Sequence, residues 1–178
     1  MDELILVDSE DNEIGCAEKE SCHIIPTKLH RAFSIFILNY ENEMLIHKRS
    51  GLKNTWPGFW TNACCSHPRK GESIEDAAKR RLMEELGFAC PVDYIFKFQY
   101  KADYDERYGE NEIDHVFMGI YGGPIKPDKD EIDEWRFLPI EALIRDVEKQ
   151  PHLYTPWFIN ALPEVINHIR KTEEYDGS

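Results

Sequence analysis

One segment in the middle of this chain carries a full set of helix signals and is fenced on both sides by β-favouring sequence. That arrangement restricts the chain to architectures that pack helices on a sheet. Ser73 followed by Asp76 has capping-box spacing, Ile74, Ala77, Ala78, Leu82 and Leu86 recur at helical intervals, and Gly87 ends the run. Before it, Leu4 to Val7 and the chain from Ile14 onward read as strands around a turn at Ser9 to Glu13. Arg31 to Tyr40 and Met44 to Lys48 read as a hairpin across Glu41-Asn42-Glu43, and Ser50 to Trp60 as a loop broken by Gly51, Pro57 and Gly58. Asn62 to Cys65 reads as a further strand. After the helix, Val92, Tyr94, Phe96, Phe98 and Tyr100 alternate with more polar neighbours, and residues 112 to 121 and Trp135 to Leu138 supply the remaining strands. Pro139 to Glu148 and Thr155 to Lys171 are the last helices, the second capped by Thr155, opened by Pro156 and expected to kink at Pro163. The sum is an α/β (α+β) sandwich, a mixed sheet flanked by helices.

At 178 residues, with 42% hydrophobic and 31% charged residues, the chain is expected to form one domain over 1–178. Its longest apolar runs, such as Ile35 to Leu38, are far too short to span a bilayer. The acidic start Met1-Asp2-Glu3-Leu4 does not resemble a secretory signal, and five cysteines without a C-x-x-C pair suit reduced thiols, so a cytoplasmic location is expected. A net charge of -13 argues against nucleic acid as a partner. Within that acidic chain, His47 to Arg81 carries Lys48, Arg49, Lys53, Arg69, Lys70, Lys79, Arg80 and Arg81 against only Glu72, Glu75 and Asp76. Such an island suits a small anion better than a polymer, although scattered Lys and Arg are ordinarily a solvated face.

The chemistry-bearing residues cluster in two short stretches. In Trp60-Thr61-Asn62-Ala63-Cys64-Cys65-Ser66-His67 a thiol lies two residues from an imidazole, pairing a proton donor with a metal ligand. In Glu110-Asn111-Glu112 both carboxylates share one face if the segment is a strand. With His23, His30 and His67 they would offer three imidazoles and two carboxylates, a set suited to a borderline divalent ion such as zinc or manganese. A lone histidine is more often surface or hydrogen-bonded core, and His47, His115, His152 and His168 are read that way. Strand alternation sends Cys64 and Cys65 to opposite faces, so at most one reaches a site. Trp60, Tyr100 and Trp157 read first as core aromatics, yet an aromatic face also stabilises a cation.

Read together, Lys28-Leu29-His30-Arg31-Ala32-Phe33-Ser34, Trp56-Pro57-Gly58-Phe59-Trp60-Thr61-Asn62, Cys65-Ser66-His67-Pro68, Gly71-Glu72-Ser73, Glu84-Glu85-Leu86-Gly87, Glu110-Asn111-Glu112 and Thr155-Pro156-Trp157 resemble the motifs of type I isopentenyl-diphosphate isomerase, a family on the Nudix fold, in the family's order and over nearly the whole chain. The resemblance implies a Nudix-like domain that interconverts isopentenyl and dimethylallyl diphosphates in isoprenoid synthesis, by proton addition and removal through a carbocation-like intermediate. It places the family's catalytic cysteine on Cys65 and glutamate on Glu112, with Tyr100 and Trp157 as active-site aromatics. Lys19, Arg49, Lys53 and Arg81 match positions that meet the diphosphate. His23, His30, His67, Glu110 and Glu112 match a metal shell for manganese or zinc, and Glu85 matches the glutamate through which magnesium joins the diphosphate. The expected partner is a small-molecule diphosphate, with no nucleic acid or membrane, in a monomer or weak homodimer.

The Nudix hydrolase signature falls on Ser66, Glu72, Arg80, Arg81, Leu82, Glu84, Glu85, Gly87 and Phe88, with Ser66 in place of its first glycine and Arg81 in place of a magnesium-binding glutamate. Exchanging a cation ligand for an arginine removes a metal site and offers a phosphate contact, which favours isomerase over hydrolase. A Nudix hydrolase of a nucleoside-diphosphate derivative is the alternative, and a silent diphosphate- or metal-binding module the third reading.

Overall fold

The run that begins at His30 becomes the strand from which the sheet is hung, in a computed structural model that describes residues 3–176. This strand, β3 (His30–Leu38), pairs in parallel with β8 (Gly109–Ile120) over its whole length, from His30 opposite Glu112 to Leu38 opposite Ile120. Its other edge is shared by three partners in turn. These are β1 (Glu3–Val7) at Leu6, β6 (Cys64–Ser66) across Phe33 to Ile35, and β4 (Glu43–Arg49) at Met44. β2 (Glu13–Glu18) pairs with β1, and β7 (Val92–Asp103) with β8. β5 (Trp60–Thr61) and β9 (Ile132–Pro139) both pair with β4, which completes one mixed sheet of nine strands among the described residues.

Alternation along β3 divides the core between two faces. Phe33, Ile35 and Ile37 pack with Ala77, Ala78, Leu82 and Leu86 of α2 (Ile74–Leu86), whereas Phe36 and Leu38 join Leu143 of α3 (Ile140–Lys149) and Phe158, Ala161 and Val165 of α4 (Pro156–Asp176). The expected helix–sheet–helix sandwich is therefore present. The Ser73 hydroxyl accepts from the Asp76 amide at 3.1 Å, as its spacing predicts. Gly87 ends α2 at φ 73°, where an added Cβ would lie 2.9 Å from both Cβ and the carbonyl oxygen of Lys126. Among the described residues, no helix is long and apolar enough to cross a membrane.

Three local readings need correction. The turn at Glu41-Asn42-Glu43 exists, with Asn42 at φ 57°, but its strands meet only at Leu38 and Met44 before they diverge. They part because β3 is occupied by β6 and β8 while β4 turns to β9. The strand expected over Asn62 to Cys65 is two short ones, β5 and β6, because this segment crosses from β4 to β3 and Asn62–Ala63 make the passage. The strand from Ile14 gives way at Lys19 to α1 (Lys19–His23), a five-residue helix without a side-chain cap that leaves no periodic trace in sequence. Pro163 lies inside α4, as the sequence placed it.

The β1–β2 turn is fastened to the sheet by one carboxylate. Asp11 accepts from Arg31 Nε, Lys97 Nζ and His115 Nε2 at 2.8 to 2.9 Å, and its side chain is only 8% exposed. Burial alone would raise its pKa, but hydrogen bonds from Lys97 and Arg31 lower it below the ordinary 3.8. The lowered value means that this contribution is present above 3.8 and is lost as pH falls through the folded value. Asp11→Asn keeps a residue tolerant of the turn's φ of 69° and should cost about 1 to 2 kcal/mol in urea unfolding at neutral pH, since two partners reach water. The difference from wild type should shrink below pH 3.8; an undiminished difference in acid would exclude this origin.

Candidate active site

Strand register builds the centre of the site. Glu112 stands opposite His30 on one side and opposite Tyr100 on the other, and the period of two turns Glu110, Glu112 and Asp114 to one face of β8. The Tyr100 hydroxyl donates to Glu112 Oε2 at 2.6 Å. His23 comes from the end of α1 and His67 from the residue after β6, so that the three imidazole rings lie 4.9 to 5.3 Å apart. His23 Nδ1 donates to the Lys19 carbonyl at 2.7 Å and His30 Nδ1 to the Lys28 carbonyl at 2.8 Å. With the proton held on Nδ1, each neutral ring presents the Nε2 lone pair inward, as a metal ligand must.

The ligand atoms of His23, His30, His67, Glu110 and Glu112 all lie within 4.8 Å of one another. Proximity alone does not satisfy them. His23 Nε2 lies 2.9 Å from Glu110 Oε2, and His30 Nε2 3.3 Å from Glu112 Oε1. Yet buried His30 Nε2 and Glu110 Oε2 have no partner in hydrogen-bond geometry. Buried polar atoms aimed at a common point without a hydrogen bond fit a divalent cation, and the nitrogen and oxygen donor set suits zinc or manganese. Thr55 Oγ1, from the loop after β4, donates to the other Glu110 oxygen at 3.0 Å and fixes that carboxylate.

Burial sets the electrostatics. It would lower the His23 pKa, but adjacent Glu110 outweighs it and raises the value to about 9. Burial and the neighbouring His30 and His23 drive His67 well below its ordinary value. Burial would raise Glu112, yet the hydrogen bond and charge of His30 bring it down, so it stays a carboxylate. Asp114, wholly buried and close to Glu112, is pushed well above the carboxylate range and hydrogen-bonds to Ser34 Oγ at 2.7 Å. His47 is held neutral at about 3 by burial and then by Arg49, with Nδ1 3.1 Å from the Ala63 carbonyl, which is the structural role expected of it.

Cys64 and Cys65 face opposite ways, as alternation requires. Cys64 packs in the α2 core, whereas Cys65 lines a cleft of about 500 Å³ together with Tyr100, Glu110, Glu112, His67 and Trp157. Burial, and then Asp114, push the Cys65 thiol up to about 12. Trp157, in the first turn of α4, donates its indole N–H toward Cys65 Sγ at 3.0 Å and packs edge-on to Trp56, with ring centroids 5.4 Å apart. An aromatic wall therefore lines the thiol side of the cleft.

The structure divides the cations of the cleft. Lys19, Arg49, Lys53 and Arg81 all line the cleft. Arg49 is buried, donates to the Thr55 and Trp56 carbonyls, and lies 5.2 Å over Trp157, so it also holds the loop that carries Trp56 at φ 44°. Lys53 pairs with Glu131 at 2.5 Å. Arg81 meets Glu85, Glu84 and Glu131, the last two at 2.8 and 3.2 Å. Glu85 is 3% exposed, and burial raises its pKa against the opposing charge of Arg81. Sequence reading missed Glu131, Thr55 and Asp114, whose hydrogen-bond partners lie 50, 55 and 80 positions away in the chain and leave no local spacing to find.

The family model described as the NUDIX domain matches residues 28–158. The isopentenyl-diphosphate Delta-isomerase 1 of Aromatoleum aromaticum is 42% identical over 93% of this chain and 93% of its own length. Its namesake from Photorhabdus laumondii is 37% identical over 96% and 99%, and that of Bos taurus 37% identical over 86% and 78%. Among solved structures, a MutT protein from Methanosarcina mazei Go1 superposes with a TM-score of 0.64 at 19% identity, covering 80% of this chain and 96% of that one, which speaks for the fold alone.

If the five His and Glu side chains share one cation, His30→Ala should lower the zinc or manganese retained after dialysis to well under one ion per chain, read by elemental analysis. Retention should also strengthen as pH rises toward about 9, because the ion must displace the proton that Glu110 favours on His23. Full occupancy in the variant would remove His30 from the shell.

Proposed function

The chain belongs to the isopentenyl-diphosphate Delta-isomerases within the NUDIX family, and on that premise we propose that it interconverts isopentenyl and dimethylallyl diphosphates. Such a reaction adds a proton at one carbon and removes one from another, so two proton-transfer groups must flank the hydrocarbon and water must be kept from a cation-like intermediate. The observation that best supports this reading is the pairing of Cys65 and Glu112 in one cleft, on strands separated by β3. Trp157 and Tyr100, with ring centroids 6.2 Å apart, offer π faces to positive charge. Tyr100 also holds Glu112 through its hydroxyl.

The diphosphate is assigned to the cations that line the cleft, with Lys19, Arg49, Lys53 and Arg81 as its contacts. Binding energy from this remote group would hold the five-carbon chain between thiol and carboxylate. The shell of His23, His30, His67, Glu110 and Glu112 would hold zinc or manganese. Glu85 would share magnesium with the substrate's phosphate oxygens, in keeping with that ion's habit of taking one or two protein carboxylates. Bound cations there would supply electrostatic stabilisation of developing and phosphate charge. Hydrolysis is disfavoured on α2, where Arg81 stands at the position of a magnesium-binding glutamate of the hydrolase signature and, with Arg80, takes up Glu84.

Cys65→Ala should abolish isomerisation, a loss of at least about a hundredfold, while Cys64→Ala should keep most of it, because only Cys65 faces the cleft. Equal losses would remove Cys65 from the chemistry. Glu85→Gln should leave the fold intact and raise the magnesium concentration required for half-maximal rate, measured by titration under saturating substrate; an unchanged requirement would return Glu85 to the status of a buried ion-pair partner.

A further inference from the structure

The hydrogen on Cys65 is located by hydrogen bonds that begin some distance from the sulfur. Asn62 lies in the passage between β5 and β6 and is fully buried. Its amide nitrogen donates to the Ile35 carbonyl at 3.1 Å and to the Cys64 carbonyl at 2.8 Å. Both carbonyls can only accept, so both amide hydrogens are spent and the Asn62 orientation is dictated by its surroundings. The atom left facing Cys65 Sγ, at 3.0 Å, is Oδ1. An amide oxygen carries no hydrogen, so at that distance the thiol must be the donor.

The other groups around the sulfur agree with this polarity. Thr61 Oγ1 accepts from Thr155 Oγ1 at 2.8 Å and from Trp157 Nε1 at 3.0 Å, and its single hydrogen goes to Asn62 Oδ1 at 3.0 Å. Asn62 Oδ1 thus has two donors, one for each lone pair. Ser34 Oγ lies 3.9 Å from Sγ, but its hydrogen is taken by Asp114 at 2.7 Å. Trp157 Nε1 is 3.0 Å from both Sγ and Thr61 Oγ1 and can only donate. Thr61 Oγ1 and Ser34 Oγ lie 3.7 and 3.9 Å from Sγ, so Asn62 Oδ1, at 3.0 Å, is the nearest acceptor for the thiol hydrogen.

From this geometry we infer that Asn62 is the positioning residue of Cys65: its carbonyl oxygen takes the thiol hydrogen and fixes both the direction of the S–H bond and the place of the sulfur at the cleft wall. The inference rests on Cys65 as a proton-transfer group. Asn62 is fully buried and is not among the cleft-lining residues, so its influence passes through Cys65. Thr61 tunes the bond from the far side, because it competes for the same oxygen.

The S–H stretch of Cys65 reports this directly. It is the infrared band present in wild type and missing from Cys65→Ala, which separates it from the other four cysteines. Asn62→Ala should move the band to higher wavenumber, as a freed S–H vibrates at higher frequency. Thr61→Val should move it to lower wavenumber, because Oδ1 loses its competing donor and accepts more strongly from sulfur. Asn62→Ala should lower kcat about tenfold or more with KM within about twofold, the pattern of a misplaced reacting group. Should Asn62→Ala fail to fold, the Thr61→Val band decides alone. A band that moves in neither variant, a wild-type protein without such a band, or a raised KM at unchanged kcat would overturn the inference. A Cys65→Ala protein that still turns over would instead refute the chemical role of Cys65, and the band positions would then decide the hydrogen bond by themselves.

Discussion

Everything at the site depends on the register of β3 against β8. A parallel ladder fixes His30 opposite Glu112, and the antiparallel contact on the other edge fixes Ser34 opposite Cys65. A slip of one residue would turn Glu110, Glu112 and Asp114 into the apolar layer under α2 and bring Phe117 and Ile113 to the cleft. Such a slip is opposed by both cores at once, since Phe33, Ile35 and Ile37 fit α2 while Phe36 and Leu38 fit α3 and α4. Burial of two apolar faces thus holds a polar site that could not hold itself.

That site is expensive in isolation. Glu110, Glu112 and Asp114 occupy alternate positions of one strand, all of them buried, and like charges so close disfavour one another's ionised forms. The structure answers in two ways. Asp114, its pKa pushed well above the carboxylate range, accepts from Ser34, and the other two carboxylates are surrounded by three imidazoles. A divalent cation held by these side chains would complete the compensation, and atoms such as His30 Nε2 and Glu110 Oε2, which have no hydrogen bond in so well packed a region, fit that role. Among the cleft's cations the sign is reversed: Glu131 and Glu85 keep Lys53 and Arg81 together despite their mutual repulsion.

Much of this was legible in sequence where the signal is local. The Ser73 cap, the Gly87 stop and the parity of Glu110 and Glu112 need only the period of one element, and the structure keeps all three. The order of the motifs carried the family. What was not legible depends on partners far along the chain. Nothing between Tyr40 and Met44 says that β4 will leave β3 for β9, because that choice is made by residues 132–139. α1 is too short to show periodicity, so His23 could be marked as a ligand by resemblance yet not placed on a helix. Asn62 was visible inside a conspicuous motif, but its use became apparent only when the Ile35 carbonyl, 27 positions away, fixed its amide.

If the cleft moves a double bond by proton transfer and leaves the diphosphate intact, the product must record where its new proton came from. Turnover of isopentenyl diphosphate in deuterium oxide, followed by NMR, tests this most directly. The expected result is dimethylallyl diphosphate that carries solvent deuterium at the newly formed methyl group, with no release of inorganic phosphate. Product without solvent deuterium, or phosphate released in place of an isomer, would contradict it.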